Sequence, residues 1–223
     1  MGCLGAAPEI DLGVDGLDQM LADLSKELLE IEVKHPDKDL LDKKEKILNE
    51  RHEELKNTDL KNESNVESVV KKFNEKELEV DNKLIENKLN KMHDQYEVGL
   101  KTAQKVKEKL IAKLEKQLEG ANSMLKTVLN KKIEEVKGLS PAKFLDSEFG
   151  KPIKETLEKQ GLSQNALTSY KDELKKQRSE RRAKEREEFG IKQNEWPEEE
   201  AFDDDKENLY EKMLKEYEDK MEV

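Results

Sequence analysis

The sequence predicts an all-α protein, an elongated coiled coil built from long helices. Charged residues make up 43% of the 223 residues and aromatic residues only 4%. Hydrophobic residues, 34% of the chain, are too few to form a thick core, so each helix is expected to bury one narrow stripe of apolar side chains. Apolar residues recur at steps of three and four, which places them on one helix face. This regularity favours helices over disorder, the alternative for such a polar composition.

Glycine, proline and charge divide the chain into five segments. They are a flexible leader (1–14), coiled-coil helices (15–137), a helical elbow (138–162), a charged helix (163–189), and a partly flexible acidic linker with a C-terminal helix (190–223). The elbow contains a cluster of helix-breaking residues, namely Gly138, Pro141, Gly150, Pro152 and Gly161.

The clearest heptad seam lies in the first predicted helix, which the His35-Pro36 pair ends. Its stripe alternates steps of four and three: Leu17, Leu21, Leu24, Leu28 and Ile31. A second helix, 37–56, has a weaker seam. A third element, roughly 65–137, contains Leu110, Leu114 and Leu118. Its Gly99 and Gly120 predict kinks or a hairpin, so one rod and a folded-back pair both remain open.

These seams predict pairing with another protein or with a second copy of the chain. The first two helices together cover only about half of the third, so its stripe needs a further partner. We expect that partner to be intermolecular. An intramolecular bundle that uses the same seams is the alternative.

The chain begins Met-Gly-Cys-Leu-Gly, a start that offers two lipid acceptors. Gly2 is a candidate for myristate, and Cys3, the only cysteine, is a candidate for palmitate. Two acyl chains hold a protein stably on a membrane, whereas a single myristate does not. Because Ala6 replaces the usual Ser or Thr of the myristoylation pattern, Cys3 is the stronger acceptor.

These five residues resemble the start of the stimulatory heterotrimeric G-protein α subunits. The resemblance implies acylation at Gly2 and Cys3, with palmitate on the cysteine. No phosphate-binding loop of the form G-x-x-x-x-G-K-[ST] follows, so it implies no GTPase fold.

Composition also limits the compartment and the partners. No apolar run reaches the ~18–20 residues that cross a bilayer, and no secretory signal follows the start. One cysteine fits a reducing compartment, and a net charge of −11 argues against nucleic-acid binding. We expect a cytoplasmic protein held on the cytosolic face of a membrane, with the cytoskeleton as the alternative location.

Nothing in the sequence predicts catalysis, a metal site, a cofactor or a small-molecule substrate. His35, His52 and His93 lie far apart among charged residues and are expected to be solvated. With 53 Asp and Glu residues, paired carboxylates carry no information. The only thiol lies in the leader, away from any fixed base. We therefore expect that the protein is not an enzyme.

Two basic stretches and one tryptophan are further candidates for contacts. The stretches 101–117 and 171–186 are expected to be solvated helix faces, although an anchored protein could use either against anionic lipid. Trp196 lies among acids and is the candidate for a second partner contact. Its segment resembles the tryptophan-acidic peptides that bind kinesin light chains, with Pro197 where an acid is expected. The alternative for Trp196, which we favour, is packing on the helix that carries Tyr170 and Leu174.

Together these features predict a non-enzymatic coiled-coil scaffold or tether, anchored to a membrane by N-terminal acylation. The alternatives are a structural protein of a filament or axoneme without a lipid anchor, and a membrane-shaping helical module.

Overall fold

The computed structural model describes residues 9–163 and 165–191, of which 83% are helical and none lies in a strand. The predicted all-α class, with its long helices and helical elbow, is confirmed. The helices of these residues are α1 (Leu17–Lys34), α2 (Lys38–Lys56), α3 (Glu63–Glu119), α4 (Ser123–Lys137), α5 (Pro141–Asp146), α6 (Lys151–Lys159) and α7 (Ala166–Phe189), with a 3-10 turn at Glu148–Gly150.

Local signals set the helix ends. Asn122 caps the start of α4, since its side chain accepts a hydrogen bond of 2.9 Å from the backbone N–H of Leu125. Ser140 caps the start of α5 in the same way, and Pro141 lies in the first turn of that helix. The α7 helix ends at Gly190, whose φ of +65° is the left-handed conformation that glycine adopts at such ends.

The third predicted element is two helices. Gly120 separates α3, which has 57 residues and is ~85 Å long, from α4. The α3 helix continues through Gly99, the other glycine predicted to bend it. A Cβ atom on this buried residue would lie 2.9 Å from Cδ1 of Leu157, so Gly99 allows α6 to approach closely.

The described residues form two compact units, and the division falls within α1 and α3. The first, here called the elbow unit, comprises 9–30 and 94–162. The second, the ionic unit, comprises 31–93 together with 163 and 165–191.

The elbow unit has an apolar core formed by the second part of α3 with α4, α5 and α6. Its buried side chains include Leu100, Val106, Leu110, Leu114, Leu129, Ile133, Phe144, Ile153 and Leu157. Packing is tightest at Gly150, where an added Cβ would lie 2.5 Å from Cα of Leu145. The core therefore depends on a glycine at the predicted elbow.

The ionic unit combines an apolar core with buried charges. Its buried apolar side chains include Ile47, Leu55, Phe73, Val80, Leu84, Leu167 and Leu174. Only two of the buried apolar residues belong to α7, the 24-residue charged helix. Most of the remaining contacts of α7 must therefore be made by polar side chains.

Candidate functional site

The predicted lipid acceptors and the predicted tryptophan contact lie outside the described residues. Gly2, Cys3 and Trp196 therefore remain predictions. The described residues begin at Glu9 and end at Ile191, so the structure includes the segments that adjoin the leader and the acidic linker.

The predicted pairing stripes are largely buried by the chain itself. The buried members are Leu24, Leu28, Ile31, Leu110 and Leu114. The half-buried members are Leu17, Leu21 and Leu118. This is the packing that the intramolecular alternative describes. Binding of a partner by these residues stays a prediction, and for the buried members it would require helices to separate.

The ionic unit contains a network of buried charged side chains, which joins α2, the first part of α3, and α7. Asp81, with 0% of its surface exposed, accepts hydrogen bonds from Lys44 at 2.7 Å and from Arg178 at 2.6 Å. Glu77 is equally buried, and both of its oxygens pair with the guanidinium group of Arg181. Each of these carboxylates therefore holds α7 on α3.

A third buried ion pair links α2 to the end of α7. Arg51 is 2% exposed, and its Nε and one terminal nitrogen each donate to an oxygen of Glu185 at 2.7 Å. Its other terminal nitrogen donates to Oδ1 of Asn74 on α3 at 2.7 Å. Because two-pronged arginine pairing requires a fixed geometry, this contact sets the register of three helices.

The basic stretch 171–186 was expected to be a solvated face, and at Arg178 this expectation is wrong, because that side chain is 4% exposed. The sequence did contain a signal. Arg178 follows Leu174 by four residues, so it continues the apolar stripe of α7. Arg51 lies likewise between Ile47 and Leu55 on α2. A charge that occupies a stripe position indicates an opposite charge on a facing helix.

Burial also shifts the pKa of a neighbouring pair in the ionic unit. The Lys88 ammonium lies 5.8 Å from the ring centroid of Tyr170. Burial raises the pKa of Tyr170 to about 12, with further contributions from the Asp37 and Asp81 carboxylates. Burial, followed by the charge of Lys91, lowers the pKa of Lys88. Tyr170 therefore keeps its proton well into the alkaline range.

In the elbow unit, the end of the leader is fixed on α3. The backbone N–H of Asp11 donates to Oε1 of Gln117 at 3.1 Å, and Nε2 of Gln117 donates to the Asp11 carbonyl at 2.8 Å. Lys113 pairs with the Asp11 carboxylate at 3.0 Å and donates to the carbonyl of Gly13. The hydrogen bond from the Gly13 N–H, then Lys113, lowers the pKa of Asp11. We call these contacts the leader clamp.

A row of exposed lysines runs along the outer face of α3 beside the leader clamp. Lys105, Lys109 and Lys116 are exposed, and their spacing of four and seven residues places them on one helix face. The ammonium of Lys109 reaches toward Gly16, at which a Cβ atom would be 3.9 Å away. We call this set the lysine face.

The histidines show no arrangement that indicates catalysis in the described residues. His52 is partly exposed, 3.6 Å from Glu188 and tilted against the ring of Phe189. One metal-type grouping was missed by the sequence analysis. Potential ligand atoms of His93, Asp94 and Glu97 lie within 4.8 Å of one another on α3. All three are partly exposed, and such groupings are common without a bound metal.

Comparison with known proteins gives no relative, since no family model, curated protein or solved structure matches the chain. Across the described residues, no helix combines the length and the apolar character that crossing a membrane requires.

Proposed function

We propose that this protein is a non-enzymatic helical scaffold or tether, held on the cytosolic face of a membrane by acylation at Gly2 and Cys3. The leader clamp is the observation that supports this most directly. It joins Asp11 to the last turns of α3, so only eight residue steps separate Cys3 from a folded helical unit. At ~3.5 Å per residue these steps span at most ~28 Å. A lipid on Cys3 would therefore hold the elbow unit close to the bilayer.

The buried charge network supports the scaffold part of the proposal. A scaffold has to present its surfaces in a fixed arrangement. Pairs such as Arg51 with Glu185 and Arg178 with Asp81 favour one register of three helices over the others. Buried ion pairs add little net stability compared with apolar residues, so specificity of arrangement is their better-attested role.

The partner is proposed to be a protein, either a second copy of this chain or another helical protein. A pair of exposed apolar side chains at a step of four supports this, namely Met124 with Val128 on α4. Met124 is 72% exposed and Val128 43%. Burial of such pairs is the usual driving force of helix association.

Self-association can be measured by sedimentation velocity over a range of concentrations. We expect the double variant Met124→Glu/Val128→Glu to lower it, and Thr127→Glu, an exposed position on the same turn, to have a smaller effect. A chain that stays monomeric at every concentration would contradict pairing with itself and direct the search to another protein.

The anchor is tested by fractionating cells that express the full chain or its variants. We expect the wild type to pellet with membranes and to carry a hydroxylamine-sensitive acyl group, the signature of a thioester on Cys3. Cys3→Ser should release the protein, and Gly2→Ala should weaken its membrane association.

Ala6→Ser is the matched control in the same segment, because it restores the usual myristoylation pattern and should keep the protein on membranes. If neither Cys3→Ser nor Gly2→Ala matters and no acyl group is found, the anchor is absent. The cytoskeletal alternative then becomes the better proposal.

A further inference from the structure

We propose that the lysine face of α3, formed by Lys105, Lys109 and Lys116, is a docking surface for an anionic lipid bilayer. The inference deepens the proposed function, because it assigns the side of the elbow unit that faces the membrane. It does not require the acyl groups, so it can be tested without them.

The first argument is that these three ammonium groups are exposed and unengaged. Other lysines of the same stretch have partners, as Lys113 does in the leader clamp and Lys107 does at the carbonyls of Lys137 and Leu139. Among the described residues, no ion pair or hydrogen bond involves the ammonium groups of the lysine face. Within the described part of the chain, these ammonium groups are therefore open to a ligand.

The second argument is that lysines outnumber acids on this part of α3. Glu115 pairs with Lys137 at 3.1 Å, and Asp11 and the exposed Asp15 share Lys113, at 3.0 and 3.9 Å. Glu108 accepts a hydrogen bond from Gln104 at 3.0 Å, which does not neutralise its carboxylate. Glu119 is exposed in the last turn of α3. Between residues 101 and 119, α3 has six lysines against three glutamates, so this part of the helix is positive within a protein whose net charge is −11. A locally positive face on an acidic protein favours an extended anionic surface over general polyanion binding.

The third argument is the position of the leader clamp, which selects the occupant. Gln117 and Lys113 hold the leader on the turns that also carry Lys109 and Lys116. Asp11, which follows Cys3 by eight residues, therefore lies on the turns of α3 that carry these lysines. Stable membrane binding takes two signals, for example an acyl chain together with a basic patch. The clamp holds the described end of the leader on the turns of α3 that carry the basic patch.

The test uses the full-length chain made without acylation, with Cys3→Ser so that no thiol reacts. Its partitioning is measured by co-sedimentation with vesicles of phosphatidylcholine alone or with 30% phosphatidylserine, at low and at physiological salt. Each surface lysine is worth roughly a factor of five in partitioning. We therefore expect binding that requires phosphatidylserine, falls with salt, and drops at least tenfold in Lys105→Glu/Lys109→Glu/Lys116→Glu.

The matched control reverses three other exposed lysines of the elbow unit, Lys143→Glu/Lys151→Glu/Lys159→Glu. It changes the net charge by the same amount and should retain most of the binding. Replacing the three lysines of the lysine face by arginine should also retain it. Circular dichroism establishes that every variant keeps the helix content of the wild type.

Three results would overturn the inference. They are wild-type binding that does not depend on phosphatidylserine, equal loss in the lysine-face and control variants, and pelleting with polymerised tubulin but not with vesicles. If the protein fails this test but still fractionates with membranes through Cys3, the proposed anchor stands and only the lysine face is refuted. If it binds vesicles through the lysine face but carries no acyl group in cells, the lysine face stands and the proposed anchor is refuted.

Discussion

Removing the Asp81 carboxylate should destabilise the ionic unit far more than removing an exposed carboxylate of the same helix. Asp81 is fully buried and holds Lys44 and Arg178, at 2.7 and 2.6 Å. In Asp81→Asn, the neutral amide cannot pair with both cations, and Arg178, only 4% exposed, keeps an uncompensated charge. Breaking a buried ion pair from one side typically costs about 3–5 kcal/mol.

Urea unfolding followed by circular dichroism measures this cost. We take the lower end of that range, about 3 kcal/mol, because Lys44 is partly exposed and water can solvate its ammonium. With a slope of about 2 kcal/mol per molar urea, the midpoint should fall by about 1.5 M. Glu79→Gln is the matched control, because Glu79 lies two residues away, is exposed, and pairs with Lys83 at 3.1 Å on the same exposed face. Its midpoint should not change.

A rescue variant separates the charge effect from simple loss of packing. Asp81→Leu/Arg178→Met removes both buried charges and replaces them with apolar side chains of similar size. Such replacements are often neutral or stabilising, so this double variant should be more stable than Asp81→Asn. The reasoning is refuted if Asp81→Asn behaves like Glu79→Gln, or if the double variant is no more stable than the single one.

The remaining predictions concern other parts of the structure. Gly150→Ala should lower the melting temperature clearly, because its Cβ would collide with backbone atoms, whereas Gly120→Ala, with open space around it, should not. A spectrophotometric titration should show one phenol ionising near pH 12, and Tyr170→Phe should remove this component; if the component persists, the assignment to Tyr170 is wrong. Lys113→Ala should open the leader clamp and speed cleavage by endoproteinase Asp-N at the leader aspartates, whereas Lys105→Ala should leave the rate unchanged.

The parts of the fold that the sequence predicts well depend on local signals. Pro36, Gly120 and Gly190 each act on the backbone around them, so the ends of the helices could be placed from the chain alone. The role of Gly99 could not, because it depends on Leu157, which is 58 residues away in sequence and approaches the glycine only in the folded state.

The buried ion pairs also join residues that are distant in sequence, and they were still harder to predict from the sequence. Asp81 and Arg178 are separated by 97 residues, and nothing near either one identifies the other as its partner. The chain contains 53 acidic residues, and those that form the buried ion pairs of α3 lie at positions of its apolar stripe. Glu77, four residues after Phe73, is an example. A search for charges that interrupt apolar stripes would have found these candidates. It would not have paired them, because pairing depends on the relative register of the helices.

The charge network also constrains how this sequence can change over generations. Replacing Arg181 alone leaves the buried Glu77 carboxylate without its counterpart, whereas exchanging both residues together keeps the pair neutral. Tolerated substitutions at these positions should therefore occur jointly, on helices more than 100 residues apart in sequence. Among homologous sequences, Glu77 with Arg181 and Arg51 with Glu185 should covary in sign, and the exposed lysines of α3 should vary independently of them.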